Sequence, residues 1–297
     1  MMTEDLNEKF RRAGFSAEEI ESKPGSASAK SPNEPSKLVF GTKEWAKHNV
    51  NLISGCSHDC KYCYAKATAV RFKKKTIETW KDEEVRTELL SKALRKRDGV
   101  IMFPTSHDIT PLHLKECMVF LKNILNHGNR VLIVSKPHFE CIKAICDEFS
   151  DFKDQILFRF TIGSSRSATL RFWEPNAPDF SERLAALKYA HEQGYQTSVS
   201  CEPMLDDNMR DLIERVSPFV TDSIWLGKAN GLLTRLGLNG HSNSETIKRA
   251  RGLLTMQSNE NIRKLYAEYK DNPQIKWKDS IKRVIGIGIQ TEAGMDV

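Results

Sequence analysis

Gly55–Lys66 reads GCSHDCKYCYAK and places Cys56, Cys60 and Cys63 within eight residues, spaced C-x3-C-x2-C. The chain of 297 residues holds only seven cysteines, so this loop is its strongest compositional signal. An odd number of cysteines concentrated in one loop points to metal or redox chemistry and predicts no disulfide framework. Gly55 permits a tight turn into the loop, and the close spacing lets backbone amides donate to the sulfurs.

Several chemistries fit three neighbouring thiolates. A cubane iron-sulfur cluster has four irons, each taking one external ligand, so three cysteines leave one iron open to a substrate or cofactor. A zinc site would add His58 as a fourth ligand, but two ligands only two residues apart strain a tetrahedron, and no second C-x2-C follows. A closed cluster would recruit Cys141, Cys146 or Cys201. Spacings of four and three also mark one helix face, though Ser57, His58, Asp59 and Lys61 give poor apolar surroundings for core cysteines. Cys117 and Cys146 fit apolar helix faces and read as core.

Outward from this loop, short β-branched runs alternate with helical patterns. VNLI at 50–53, VIMF at 100–103, RVLIV at 130–134, ILFRFTI at 156–162, QTSVS at 196–200 and DSIWLG at 222–227 are predicted strands. Thr110 and Pro111 predict the N-cap and first position of a helix carrying Leu114, Cys117, Met118, Leu121 and Leu125, stopped by Gly128. Another helix runs from Ser181 to Gly194. Such alternation predicts an α/β fold of parallel βα units, and six units suggest an open, partial (β/α)6 TIM-like barrel. SKPGSASAKSPNEPSK at 22–37 reads as a linker. The expected organisation is an N-terminal extension and linker over 1–37, the barrel over 38–235, and a helical C-terminal extension over 236–297. That extension reads as two helices, the first capped near Ser242 or Ser244, then a strand-like IGIGIQ run and a frayed tail.

Composition narrows the setting. Hydrophobic residues make up 39% and charged residues 28% of the chain, and no apolar run approaches the ~18 residues of a membrane span. The first residues, MMTEDLNEKFRRAGF, are acidic early and lack the apolar core of a secretory signal, which predicts a cytoplasmic protein without a membrane partner. A net charge of +6, from 45 basic and 39 acidic residues, permits an anionic partner without requiring one.

With Tyr62 just before the last cysteine and βα units following, the loop resembles that of the radical S-adenosylmethionine (SAM) superfamily. NLISGCSHDCKYCYAK, TSHDITP, VSKPH, EPNAPDFSERLAALKYAHEQGYQTSVSCEPML and IWLGKAN resemble in particular its spore photoproduct lyase-like group, also labelled DNA repair photolyase-like. The resemblance implies that Cys56, Cys60 and Cys63 hold a [4Fe-4S] cluster and that SAM chelates the open iron. It further implies that an electron from a reductant such as flavodoxin or ferredoxin cleaves SAM to methionine and a 5′-deoxyadenosyl radical. His58 then becomes a loop residue beside the cluster. One departure concerns the hydrogen-donating cysteine that this group carries just before the Thr-Ser pair after the second strand, where this chain has Pro104. Cys201 is the candidate replacement donor.

Active sites of α/β sheets gather at the carboxyl ends of strands. Thr105 to Asp108, Ser135 and Lys136, Ser164 to Arg166, Cys201 and Glu202, and Lys228 and Asn230 occupy those positions. The SAM implied by the resemblance would place its ammonium on Ser106 and Asp108 and its carboxylate on Lys136, with Arg166 as second candidate. Its ribose would meet Glu202 and Asn230, and its adenine Tyr62. The basic run VRFKKK at 70–75, with Trp80 or Trp173 for stacking, makes DNA or RNA the candidate macromolecular partner, although the adjacent KDEEVRTE partly neutralises it. The alternatives are the same chemistry on a protein, peptide or small molecule, and a metal-stabilised binding module without catalysis.

Overall fold

A computed structural model describes residues 38–92 and 94–296; the extension and linker read from 1–37 lie outside them. Among the described residues nine strands form: β1 His48–Asn49, β2 Ile53–Ser54, β3 Glu84–Val85, β4 Val100–Phe103, β5 Arg130–Ser135, β6 Ile156–Thr161, β7 Gln196–Cys201, β8 Ile224–Leu226 and β9 Ile275–Trp277. Seven of them make one sheet in the order β1-β4-β5-β6-β7-β8-β9, each neighbouring pair parallel. Each strand adds on the same side of its predecessor, so the natural twist curls the sheet into the open, partial-barrel form that the alternation predicts.

The helices are α1 Tyr64–Arg71, α2 Leu114–Asn126, α3 Phe139–Glu148, α4 Ser167–Trp173, α5 Phe180–Glu192, α6 Met209–Val216, α7 Leu232–Leu238, α8 Ser244–Met256, α9 Asn259–Tyr269 and α10 Asp279–Ile285. Their caps differ in detail from the sequence reading. Asp179, not Ser181, caps α5 by accepting from the Glu182 amide, and Asn243 caps α8 through the Thr246 amide. Thr110 stays extended and its hydroxyl donates to Glu83 at 2.9 Å, while Pro111 opens a 3-10 turn that leads into α2.

Period-two alternation sorts the strand residues onto two faces. Ile101, Phe103, Val131, Ile133, Phe158, Phe160, Val199 and Leu226 are buried beneath the helices, each such side chain stabilising the fold by ~1.5–3 kcal/mol. Met102, Leu132, Leu157 and Trp225 face the lumen and pack with Trp45 and Ala46. Arg159 shares that face at 0% exposure, held by Ser198 Oγ at 2.9 Å and Asp222 at 3.2 Å, its guanidinium 4.7 Å from the Trp45 ring.

Four expectations need correction. The first strand pairs with β4 at 48–49, not over 50–53, because the Leu52 and Ile53 amides donate to the His107 imidazole at 3.2 Å instead of to the sheet. Ile53–Ser54 joins a separate antiparallel ladder with Glu84–Val85. The C-terminal segment also supplies a seventh sheet strand, β9, which alternation alone missed because it is only three residues long. The IGIGIQ run beyond it is not a strand, and the tail is held, with Val39 donating to Gln290 and Gly294 to Lys43. Lys278, just after β9, pairs with Glu44, just before β1, at 2.8 Å with both side chains at 0% exposure. This contact joins the two outer strands of the open sheet.

Candidate active site

The cysteine loop sits at the carboxyl end of the sheet, shaped by contacts from four directions. Gly55 has φ +98°, and a Cβ there would come within 2.7 Å of the Trp80 and Asp82 carbonyl oxygens, so only glycine fits. The Cys56 amide donates to Trp80 O at 3.0 Å, and the Ser57 amide to Glu83 at 2.8 Å. Lys61 donates through its amide to Trp173 O at 2.9 Å. Cys63 is the N-cap of α1, its sulfur accepting from the Lys66 amide at 3.4 Å. Burial raises the pKa of all three thiols, and each lies within the electrostatic reach of the others or of Lys136.

Asp108 is the polar hub beside Cys56. One carboxylate oxygen accepts from Ser135 Oγ at 3.0 Å and the Lys136 amide at 2.7 Å. The other meets His58 Nδ1 at 2.8 Å, Lys136 Nζ at 3.5 Å and Cys56 Sγ at 3.9 Å. Lys136 and His58 together hold this carboxyl well below the usual range despite its burial. Cys56, His58 and Asp108 offer ligand atoms within 4.8 Å of one another. His58, however, spends both ring nitrogens, Nδ1 on Asp108 and Nε2 on His138 at 2.9 Å, which argues against it as a zinc ligand.

Tyr62 is buried, and its hydroxyl donates to Glu174, whose other oxygen holds Arg183 at 2.5 Å with both partners at 0% exposure. Arg183 also donates to Thr161 O and Pro178 O, so every arm of this guanidinium is engaged. The Tyr62 ring, expected against an adenine, is buried in the core cluster that includes Cys60, and its hydroxyl anchors the loop. Tyr64, in contrast, is exposed, and its hydroxyl bonds to Thr105 O. Asn51 fixes that same turn, accepting from the Thr105 and Ser106 amides and donating to Thr105 Oγ1.

The remaining expected residues divide. Ser106, Lys136 and Glu202 stand at the strand ends around the loop, and Glu202 is tied to Lys278 at 3.4 Å. Asn230 is exposed just beyond β8. Asp108 is available only in part, because its oxygens already serve this chain's own donors. Arg166, the second candidate for the carboxylate, pairs with Asp207 at 3.1 Å on the exposed surface and joins none of the Asp108 contacts. Cys201, expected as a hydrogen donor, shares the helix-facing side of β7 with Val199 and is fully buried there. Cys117, Cys141 and Cys146 lie in the same helix-side core. Trp80 and Trp173 are buried, which removes both as stacking platforms, and Lys75 is committed to Glu84 at 2.7 Å.

Asn51, Glu174 and Arg183 lie inside stretches that carry the family resemblance but were given no role, and Asn239 lies outside them. Asn239, at the C-cap of α7, donates its amide to the Lys61 and Cys63 carbonyls at 2.9 and 3.0 Å. Only the polar residues at strand ends carried a signal, and these four act through contacts between segments distant in sequence.

The family model described as the radical SAM superfamily matches residues 50–216, more than half of the chain. The chain belongs to the radical SAM superfamily. Among curated relatives, the uncharacterized protein ORF301 of Acidianus two-tailed virus is 24% identical over 196 residues, 59% of this chain and 64% of that protein. The uncharacterized protein MJ0683 of Methanocaldococcus jannaschii is 24% identical over 195 residues, 64% of this chain and 72% of that protein. The chain thus spans just under two thirds of the first of these relatives. Solved structures of spore photoproduct lyase share the fold. A tyrosine-to-phenylalanine variant aligns with TM-score 0.52 at 15% identity, and the enzyme complexed with dinucleoside spore photoproduct with 0.51 at 13%, each over 92% of both chains.

A radical SAM enzyme needs three thiolates on one loop and an open position beside them. The donor set here fits: two buried thiols and the half-buried Cys63 gain from a cation that displaces their protons, Cys63 receives a backbone amide, and Lys136 stands close by. No helix among the described residues is long and apolar enough to cross a membrane.

Proposed function

We propose that Cys56, Cys60 and Cys63 hold a [4Fe-4S] cluster and that this radical SAM enzyme reductively cleaves SAM to act on a nucleic acid. The observation that carries the first part is the cysteine loop itself. Its three thiols sit at the carboxyl end of the sheet, and its backbone is tied down by Trp80, Glu83, Trp173 and Asn239. When bound, the cluster and SAM would supply a 5′-deoxyadenosyl radical able to take a hydrogen atom from a substrate. This chain's residues would position that chemistry. Lys136, already oriented by Asp108, offers its ammonium to the SAM carboxylate, Ser106 offers its hydroxyl to the amino group, and Glu202 and Asn230 offer acceptors to ribose hydroxyls. Anaerobic reconstitution with iron and sulfide, then dithionite and SAM, should yield 5′-deoxyadenosine; stoichiometric zinc binding without that product would contradict the proposal.

The nucleic-acid part draws support from the shared fold with spore photoproduct lyase, from the net charge of +6, and from exposed Phe72 beside Arg71 at the end of α1. Pro104 stands where the spore photoproduct lyase-like group would have its donor cysteine, so the substrate need not be a thymine photoproduct. Retention on an oligonucleotide that weakens with salt supports this part, and retention indifferent to salt argues against it.

A further inference from the structure

Arg235 lies one helical turn before Asn239, on the face of α7 that meets the cysteine loop. Its guanidinium stands 6.0 Å from the exposed ring of Tyr64, the residue after Cys63. Glu202, Cys63, Tyr64 and Tyr62 are the groups whose charge it feels, and Glu202 is already bound to Lys278. The Arg235 guanidinium makes no hydrogen bond and no ion pair among the described residues, its backbone being engaged only within α7. The six cations buried in the described chain behave differently. Lys66, Lys75, Arg159, Arg183, Lys278 and Lys282 each hold a carboxylate. A half-buried guanidinium keeps five donors in a planar fork suited to an oxyanion, and half burial strengthens whatever it binds.

Two oxyanions could reach this position, the carboxylate of SAM and a phosphate of the substrate. Lys136 stands ready for the carboxylate after β5, three strands away from β8 in the sheet. Beside Arg235 the open surface is an aromatic ring, and a nucleotide presents a base and a phosphate side by side. We propose that Arg235 receives a phosphate of the nucleic-acid substrate at the mouth of the site, with the Tyr64 ring as the adjoining platform. This rests on the nucleic-acid reading above and names the residue that would carry its electrostatic recognition.

The test uses the reconstituted full chain and a fluorescein-labelled single-stranded oligonucleotide, titrated across a range of salt concentrations, with SAM affinity measured in parallel. Arg235→Gln should weaken oligonucleotide binding about tenfold and flatten the salt slope by about one counterion, while Arg235→Lys recovers part of the loss. Arg210→Gln, which removes an exposed charge paired with Glu268, serves as the control for net charge and should bind as the parent chain does. Equal binding by Arg235→Gln and the parent overturns the Arg235 assignment and leaves the nucleic-acid reading standing. No binding by the parent overturns both. A loss confined to SAM affinity overturns the phosphate assignment in favour of the carboxylate.

Discussion

Asp108, after β4, and Arg235, in the helix after β8, stand at two places around the same cysteine loop and are treated differently by the fold. Asp108 is surrounded by donors of this chain: Ser135, His58, and both the amide and ammonium of Lys136. Arg235 keeps its guanidinium donors free of every described residue. The difference separates what is pre-organised from what awaits a ligand. Where the chain holds the cysteine loop in one geometry, it supplies its own partners, as it does again for Tyr62 through Glu174 and Arg183. Where recognition is to occur, unpaired polar atoms remain at the mouth.

Four substitutions break or sharpen that contrast. The largest effect is expected from Cys60→Ala, which removes one of three cluster ligands and should abolish the visible absorbance and 5′-deoxyadenosine formation together. Next, Arg183→Met leaves Glu174 buried without its cation and should destabilise the fold by ~3–5 kcal/mol, read as a lower urea midpoint at unchanged slope. A smaller effect belongs to Asp108→Asn, which frees Lys136 and should weaken SAM binding about tenfold, with an altered paramagnetic signature of the reduced cluster when SAM is added. The smallest belongs to Arg166→Gln: its exposed pair with Asp207 contributes less than ~1 kcal/mol, so urea denaturation should shift little.

The pre-organised side also has a pH signature. His107 is buried, accepts the Leu52 and Ile53 amides at Nε2 and donates Nδ1–H to Asp108 O, and burial lowers its pKa from 6.5 to about 4. The unfolded chain therefore binds the proton first as pH falls. Stability from this neutral ring is full above about pH 6.5 and declines toward pH 4, by on the order of 3 kcal/mol. Urea midpoints of the parent chain and His107→Gln should converge across that interval.

Much of this arrangement was legible in the sequence because it depends on local pattern. Five of the six predicted strands lie where β-branched runs placed them, and the C-x3-C-x2-C loop opens a helix after the first. What escaped depended on contacts across the chain. The start of the sheet moved because His107, more than 50 residues away, takes the amides of Leu52 and Ile53. Tyr62 was drawn inward by a carboxylate 112 residues on. The parity of Cys201 with Val199, opposite to Ser198 and Ser200, assigns it to the helix side of β7. Arg235 carried no signal at all, since only the fold shows that no side chain among the described residues pairs with its guanidinium.

The central claim is that the three-cysteine loop supports reductive cleavage of SAM. Mass spectrometry of an anaerobically reconstituted sample, given dithionite and SAM, should detect 5′-deoxyadenosine from the parent chain and none from Cys60→Ala. A parent chain with a fully assembled cluster that leaves SAM intact would contradict the account.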